Sequence, residues 1–101
     1  MSINEPILTI SVAAKLLGLH PRTLMLYEKE GLTAPHRTGT QRRLYSIADL
    51  DHLQFITHLT QHKGINIRGV KIVLQAIDFS EKEGFNLKKT LFPEFKLKKL
   101  I

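Results

Sequence analysis

The fold is decided by residues 19–45, which read LHPRTLMLYEKEGLTAPHRTGTQRRLY. Pro21 suits the first turn of a helix, because its missing N–H would have no partner there and its φ is already helical. Gly31 is a natural left-handed stop, so this helix is predicted to end at about Glu30. Leu24 then faces the core. The side chains expected to reach outward are Arg22, Thr23, Leu26 and Tyr27.

After this helix the sequence changes to a pattern that fits strands. Residues 37–45, RTGTQRRLY, carry a Thr-Gly-Thr turn signal followed by strand-compatible residues. We predict a short β-hairpin here, a wing that displays arginines. Because alternate residues of a strand face opposite sides, Arg42 and Arg43 share one surface only if twist or a bulge re-aims one of them. One of the two can instead pair with Glu28 or Asp49.

A shorter helix is predicted before this stretch, after residues 1–7, which we expect to have no regular structure. Thr9 or Ser11 can cap it, and Gly18 ends it. Its apolar side chains recur at helical spacing and are Val12, Ala13, Leu16 and Leu17. Small alanines allow a second helix to approach closely, and the short connection to Pro21 makes a helix-turn-helix. An ordinary helical hairpin is the alternative, but the basic wing favours a nucleic-acid-binding domain.

Two further helices are expected to supply the core. Ser46 and Asp49 form a capping box that begins the first of them, which ends near Gly64. Its buried face is predicted to contain Ile47, Leu50, Leu53, Phe55, Ile56 and Leu59. Asn66 caps the second, which is apolar on more than one side as far as Ile77. The fold class is therefore mainly α, a winged helix-turn-helix with a short β-hairpin wing.

Charge and composition restrict the class of protein. The 101 residues contain 15 lysines and arginines against 9 aspartates and glutamates, which gives a net charge of +6 and a pI near 9.8. This balance favours a polyanionic partner such as nucleic acid. We therefore divide the chain into a winged helix-turn-helix DNA-binding domain at residues 1–78 and a basic, apolar tail at residues 79–101.

The tail mixes lysines with bulky apolar side chains and is interrupted by Pro93. No single helical stripe emerges, so the tail either packs back on the domain or binds a partner or a second subunit. The residues assigned to partner or subunit binding are Leu91, Phe92, Phe95, Leu97, Leu100 and Ile101.

Several classes of function are excluded by what the sequence lacks. Without cysteine there is no disulfide or thiolate metal site. No apolar run approaches the roughly 18 residues of a membrane span, and no signal-peptide pattern is present, so we expect a cytoplasmic, nucleoid-associated protein. His58 and His62 are four apart but lack an evident third ligand, so we expect surface histidines and no metal or cofactor. No nucleophile elbow or phosphate loop is present, which argues against an enzyme.

Three phrases carry a resemblance to a known family. They are VAAKLLGLHPRTLMLYEKEGL at residues 12–32, RTGTQRRLYSIADL at 37–50 and GINIRGVKIVL at 64–74. In this order they resemble the MerR family of winged helix-turn-helix regulators over about residues 8–77. The resemblance is closest to the heat-shock repressor branch, HspR, through residues 18–21 and 64–71.

The resemblance implies a MerR-like homodimer that binds double-stranded DNA at inverted-repeat operators. For this branch it further implies repression of chaperone operons with help from the Hsp70 chaperone DnaK. The chain departs from the family pattern in two ways: Met25 stands where an arginine is usual, and Gly84 and Pro93 interrupt the region of the family's long dimerising helix. The DNA-binding positions are assigned to Ser11, Lys15, His20, Arg22, Thr23, Leu26, Tyr27, Arg37, Arg42, Arg43 and Tyr45.

The function predicted from the sequence is therefore a sequence-specific transcriptional repressor of heat-shock genes. Two alternatives stay open. A chaperone-binding adaptor of the same fold would not bind DNA, and the presence of Arg22, Tyr27, Arg42 and Arg43 argues against it. A phage excisionase-like architectural DNA binder usually lacks the full pair of supporting helices that this sequence predicts.

Overall fold

The two helices predicted on either side of Gly18 are confirmed in a computed structural model, which describes residues 2–101. Helix α1 spans Ile10–Leu17 and helix α2 spans Pro21–Lys29. Of the two proposed caps, Thr9 is the one used: its Oγ1 accepts a hydrogen bond from the Val12 N–H at 3.3 Å. Gly18 ends α1 with a φ of 71°, a left-handed conformation that glycine adopts without steric cost.

A small antiparallel sheet follows the order β1-β3-β2. Its strands are β1 (Leu8–Thr9), β2 (His36–Arg37) and β3 (Arg43–Tyr45). Strands β2 and β3 are the predicted hairpin, and Arg37 lies opposite Arg43 in it. Strand β1 was not predicted, because two residues are too short to show an alternating pattern. It pairs Leu8 with Tyr45 and fixes the inner edge of the wing.

Helix α3 spans Ile47–Thr57 and begins with the predicted capping box. Ser46 Oγ accepts from the Asp49 N–H at 3.0 Å, and Asp49 Oδ2 accepts from the Ser46 N–H at 2.9 Å. The chain then continues as a π-helical segment at His58–His62, which the sequence pattern did not reveal. Side-chain periodicity distinguishes a π turn from an α turn poorly over so few residues.

Helix α4 spans Ile67–Lys82 and begins at the predicted cap, where Asn66 Oδ1 accepts from the Gly69 N–H at 2.9 Å. It is longer than predicted, because the polar residues after Ile77 form its last turn instead of a loop. Helix α5, Leu87–Leu91, follows after Gly84.

The backbone divides into two compact units. The first consists of the chain up to Gln54 together with Lys99–Ile101, and the second is Phe55–Lys98. The fully buried side chains of the first unit include Ala13, Leu24, Tyr45, Leu50 and Leu53. Those of the second include Ile56, Leu59 and Val70. The predicted division of the chain after residue 78 stays a prediction.

Candidate nucleic-acid interface

Helix α2 presents its N-terminus with the charged side chain of Arg22 exposed. His20 Nδ1 accepts a hydrogen bond from the Arg22 N–H at 3.0 Å, so this histidine caps the helix. Pro21 occupies the first helical position, as predicted. The capped first turn fixes the backbone from which the Arg22 side chain projects.

Fewer side chains of α2 face outward than the sequence predicts. Arg22 and Leu26 are exposed, and Thr23 is half-buried, but Tyr27 retains only 3% of its accessible surface. The expectation that Tyr27 reaches outward is therefore wrong. It lies three residues after the fully buried Leu24, and residues three apart share a helix face, so both belong to the core stripe.

The wing is fastened to α2 by the carboxylate of Glu28. Arg43 Nε donates to Glu28 Oε1 at 2.6 Å, and Arg37 Nη2 donates to both carboxylate oxygens at 3.1 Å. The pairing of Glu28 with one wing arginine was an open possibility in the sequence; the second pairing, to Arg37, was not expected. We call the exposed side of α2 together with β2, β3 and their connecting loop the α2–wing surface.

The carboxylate of Glu28 reduces the repulsion between two positive charges in the hairpin. Arg37 and Arg43 are cross-strand neighbours, and like charges directly opposite one another destabilise a sheet. Glu28 lies between the two guanidinium groups and offsets their repulsion. Arg37 also donates from Nη1 to the Gln41 carbonyl at 2.8 Å, which ties the wing loop to the same cluster. The orientation of the wing relative to α2 is therefore set by side chains.

Opposing effects determine the pKa of Glu28. Partial burial raises it, but the hydrogen bonds and positive charges of Arg43 and Arg37 outweigh burial and hold the pKa below its ordinary value of 4.5. A carboxyl whose pKa is lower in the folded state stabilises the fold above its ordinary pKa, and this stabilisation is lost as the pH falls through the folded pKa.

Replacing Glu28 with glutamine is accordingly expected to lower the free energy of unfolding by about 1 to 2 kcal/mol near neutral pH, an amount discounted for the partial exposure of the arginines. The difference from the unsubstituted chain should shrink as the pH falls below 4.5, the ordinary pKa of this carboxyl, and through its lower folded pKa. Urea unfolding at several pH values measures it, with Glu5→Gln as a control at an exposed carboxylate. We call the ion pairs of Glu28 with Arg37 and Arg43 the clamp at Glu28. Equal stability of the Glu28 and Glu5 variants at neutral pH would show that this clamp does not stabilise the fold.

Arg42 differs from its two clamped neighbours. It lies in the loop just before β3, and its N–H donates to Thr38 Oγ1 at 3.1 Å while its carbonyl accepts from the Thr38 N–H at 2.9 Å. Its side chain is exposed and makes no hydrogen bond or ion pair with any of residues 2–101. The backbone of Arg42 is held and its charge is available, which suits a contact with a polyanion.

Tyr45, assigned to the DNA-binding set, has no exposed surface. Burial raises the pKa of its phenol to about 12, and the negative charge of Glu28 adds to that shift. Its hydroxyl has no hydrogen-bond partner among the described residues. The placement of Tyr45 in the core shows that it supports the wing from beneath and does not lie on the outer surface.

Tyr45→Phe is therefore expected to be neutral or to stabilise the fold by up to about 1 kcal/mol, because it removes an unpaired buried hydroxyl and keeps the ring. Thermal unfolding and the affinity for duplex DNA are the measurements, and the affinity should not change. A clear loss of affinity with unchanged stability would return Tyr45 to the set of DNA contacts.

The other residues assigned to DNA binding divide into side chains that are accessible and side chains that are paired with Glu28. Ser11 and Lys15 are exposed on α1. Together with His20, Arg22, Leu26 and Arg42 they are accessible, whereas Arg37 and Arg43 are engaged by Glu28. Their individual contacts with DNA stay predictions.

The tail residues assigned to partner binding also divide. Phe92 retains 9% of its surface and meets the Phe55 ring edge-on, with 5.6 Å between ring centroids. Phe95 is half-buried at 5.2 Å from the same ring. Leu100 is half-buried, and the exposed members are Leu91, Leu97 and Ile101. Of the two alternatives for the tail, packing within the chain is the one that applies to Phe92 and Phe95, since both rings contact Phe55.

The histidine pair lies beside this tail. Glu94 Oε2 lies 2.5 Å from His58 Nε2 and 3.5 Å from Lys63 Nζ. The hydrogen bond with His58 is the main reason that the pKa of Glu94 is lowered. Among residues 2–101, no group of three or more potential ligand side chains is arranged to hold a metal ion. No helix in this described part of the chain has both the length and the apolar character to cross a membrane.

Comparison with known proteins gives one family. Residues 8–77 match the family described as MerR HTH family regulatory protein. The chain is 44% identical over 72 residues to a protein named putative heat shock protein HspR from Streptomyces coelicolor, an alignment covering 71% of this chain and 48% of that protein. It is 38% identical over 71 residues to the HTH-type transcriptional regulator GlnR of Bacillus anthracis, covering 70% and 54%.

A solved structure gives a similar result. The crystal structure of HiNmlR, a MerR family regulator lacking the sensor domain and bound to promoter DNA, superposes with a TM-score of 0.60 at 28% identity. The alignment covers 67% of this chain and 54% of that one. The chain thus spans about half the length of the relatives described here. GlnR is named as a transcriptional regulator and HiNmlR as a MerR family regulator, a class without enzymatic activity.

Proposed function

The chain belongs to the MerR HTH family of regulatory proteins, and from this premise we propose that it is a sequence-specific DNA-binding repressor of transcription. The observation that carries the proposal is the clamp at Glu28, which fastens a basic wing to the last turn of α2, the helix whose first turn exposes Arg22. A helix and a wing fixed to one another can contact adjacent features of one duplex. The similarity to a regulator bound to promoter DNA supports this use of the surface.

In the proposed complex, the N-terminal turn of α2 enters the major groove. Arg22 is the exposed guanidinium at that end, and arginine pairs in a bidentate manner with the O6 and N7 acceptors of guanine. Leu26, one turn further along, presents an apolar side chain of the kind that contacts a thymine methyl group. Arg42 on the wing contacts phosphate, which positions the protein without reading sequence.

Heat-shock or chaperone genes are the proposed targets. The 44% identity with a protein named as a heat-shock protein, HspR, supports this assignment. An inverted-repeat operator would be bound by two copies of the chain, one on each half-site. Cytoplasmic, nucleoid-associated location follows from this proposal, and the Hsp70 chaperone DnaK as a partner stays a prediction.

The test of the proposal is selection of binding sites from a pool of random duplexes, followed by sequencing. We expect enrichment of one inverted-repeat sequence and its presence upstream of chaperone genes in the genome of the source. Enrichment elsewhere in the genome would redirect the targets, and the absence of any enriched sequence would overturn sequence-specific binding.

The wing gives a separate electrostatic prediction. Arg42→Gln should weaken binding to all duplexes alike and reduce the slope of log K against log salt concentration by about 0.9, the value for one lost phosphate contact. Binding isotherms at several salt concentrations measure the slope, and Lys96→Gln controls for the loss of one positive charge elsewhere. Identical slopes for Arg42→Gln and the unsubstituted chain would show that Arg42 does not contact the backbone.

A further inference from the structure

Two large apolar side chains are exposed next to each other on α2. Met25 keeps 40% and Leu26 keeps 43% of its accessible surface, whereas Leu24 and Tyr27, which flank the pair in sequence, are buried. The helix therefore makes its core contacts without Met25 and Leu26. Because the core does not cover these two side chains, their apolar surface leaves water only when a ligand covers it.

The pair belongs to a continuous outward stripe of α2. Its four members follow one another at steps of three, one and three residues, which places them on one face of an α-helix. All four are exposed, and they are Arg22, Met25, Leu26 and Lys29. The stripe therefore reads basic, apolar, apolar, basic along the helix. A ligand that fits it has apolar groups at the centre and negative charge on both sides.

The major groove of DNA has this arrangement. It admits an α-helix, its rims are lined by phosphates, and the C5-methyl group of thymine is the apolar group that the base pairs present on its floor. The cations at the two ends of the stripe match the rims, and the apolar pair between them matches the methyl groups. The order of side chains on α2 thus favours a duplex that carries thymines where the centre of the stripe lies.

The two apolar side chains lie on different flanks of the stripe, since successive residues of a helix are about 100° apart. Met25 comes three residues before Glu28, so it shares the flank to which the wing is fastened. Leu26 comes three residues after Thr23 and shares the opposite flank. The pair is therefore placed to contact two different bases, with Met25 on the side of the wing.

We propose that Met25 is a specificity-determining residue, and that Met25 and Leu26 each contact the C5-methyl group of a different thymine. The inference rests on the proposed function, which places α2 in the major groove, and extends it to named bases of the operator. Both residues lie about 4.5 to 6 Å further along α2 than Arg22, and base pairs are about 3.4 Å apart, so the thymines should lie about one or two base pairs from the guanine read by Arg22. The unbranched, polarizable side chain of methionine adapts well to such a contact.

Deoxyuridine tests the contact, because it lacks only the methyl group and keeps every hydrogen-bonding group of thymine. Each thymine in one half-site of the selected operator is replaced in turn, and the affinity of the full chain is measured by fluorescence anisotropy. Loss of one contacted methyl group should weaken binding about fourfold, the factor that corresponds to one methyl-sized group removed from an apolar contact.

A variant identifies the thymine that Met25 contacts. Met25→Gln keeps the length of the side chain and a good helix former but makes its end polar. It should bind thymine and deoxyuridine equally at one position and keep the preference for thymine at the others. Met25→Leu, which conserves apolar character and volume, should keep the preference at that position as well.

Two further variants are the matched controls. Leu26→Gln should remove the preference at a different thymine and leave the one assigned to Met25. Leu97→Gln, at an exposed apolar position in the tail, should change neither.

Three results would overturn this inference and leave the proposed function standing. The first is an operator that binds equally well with thymine or deoxyuridine at every position. The second is a preference for thymine that Met25→Gln does not change. The third is an operator with no thymine within about two base pairs of the guanine read by Arg22. The absence of any enriched operator sequence would overturn the proposed function and this inference together.

Discussion

Phe92→Ala is expected to lower the free energy of unfolding by about 3 kcal/mol, the lower end of the usual range for truncating a buried phenylalanine. Phe92 packs edge-on against Phe55 at 5.6 Å and against the ring of His58 at 6.4 Å. Lys88 adds a positive charge to this cluster, with its Nζ 4.3 Å from the centroid of the Phe55 ring. Truncation leaves a cavity among these rings. Urea unfolding measures the loss.

The matched control is Leu97→Ala, which shortens an exposed apolar side chain of the same tail and should change stability by less than about 0.5 kcal/mol. Phe92→Leu, which keeps most of the apolar volume, should fall between the two. Equal stability of Phe92→Ala and Leu97→Ala would show that the tail does not pack in solution and would return Phe92 to the set of partner-binding residues.

Arg22→Ala is expected to weaken binding to the operator by about 1 to 3 kcal/mol, or roughly 5-fold to 150-fold, with a much smaller effect on random duplexes. The physical reason is that a guanine edge loses both of its donors, whereas the phosphate contacts that serve every sequence remain. Fluorescence anisotropy with the selected operator and a scrambled duplex measures both affinities. Thr23 and Leu26 remain in place, and the His20 cap uses only the backbone N–H of residue 22, so the helix should be preserved.

An equal loss on operator and random DNA would reassign Arg22 to a phosphate contact. A lysine substitution at the same position makes a useful comparison, because it keeps the charge but not the bidentate geometry. Arg22→Lys should retain binding to random DNA and lose part of the discrimination.

The helix ends could be predicted from the sequence because they depend on local backbone chemistry. Pro21 fixes a helix start, Gly18 adopts the left-handed stop, and Asn66 accepts from the N–H of Gly69, three residues later. Each of these signals acts within about one turn of the chain. They therefore need no knowledge of the tertiary structure.

The parts of the site that could not be predicted depend on residues distant in sequence. Glu28 is nine residues from Arg37 and fifteen from Arg43, and only the folded hairpin brings both guanidinium groups to one carboxylate. Tyr27 and Tyr45 are amphipathic side chains that fit a surface or a core, and packing decided for the core. Strand β1 could not be predicted from its two residues for a different reason, because it forms only through pairing with β3.

The clamp at Glu28 also explains how so short a hairpin can be stable. Two-stranded hairpins are marginally stable alone, and this one has β1 on its inner edge and Glu28 across its arginines. The cost is that two basic residues, Arg37 and Arg43, are partly neutralised and contribute less to attraction of DNA. Arg22 and Arg42 are exposed on the α2–wing surface, and neither side chain pairs with a carboxylate among residues 2–101.

The most direct test of the central claim, that the α2–wing surface reads DNA sequence, is the ratio of dissociation constants for the operator and its scrambled duplex at one salt concentration. Specific DNA-binding proteins bind their sites about 10³-fold or more tighter than non-specific DNA. We predict a ratio of that order for the unsubstituted chain and a markedly smaller one for Arg22→Ala. A ratio near one for the unsubstituted chain, or the same ratio for both proteins, would contradict the account.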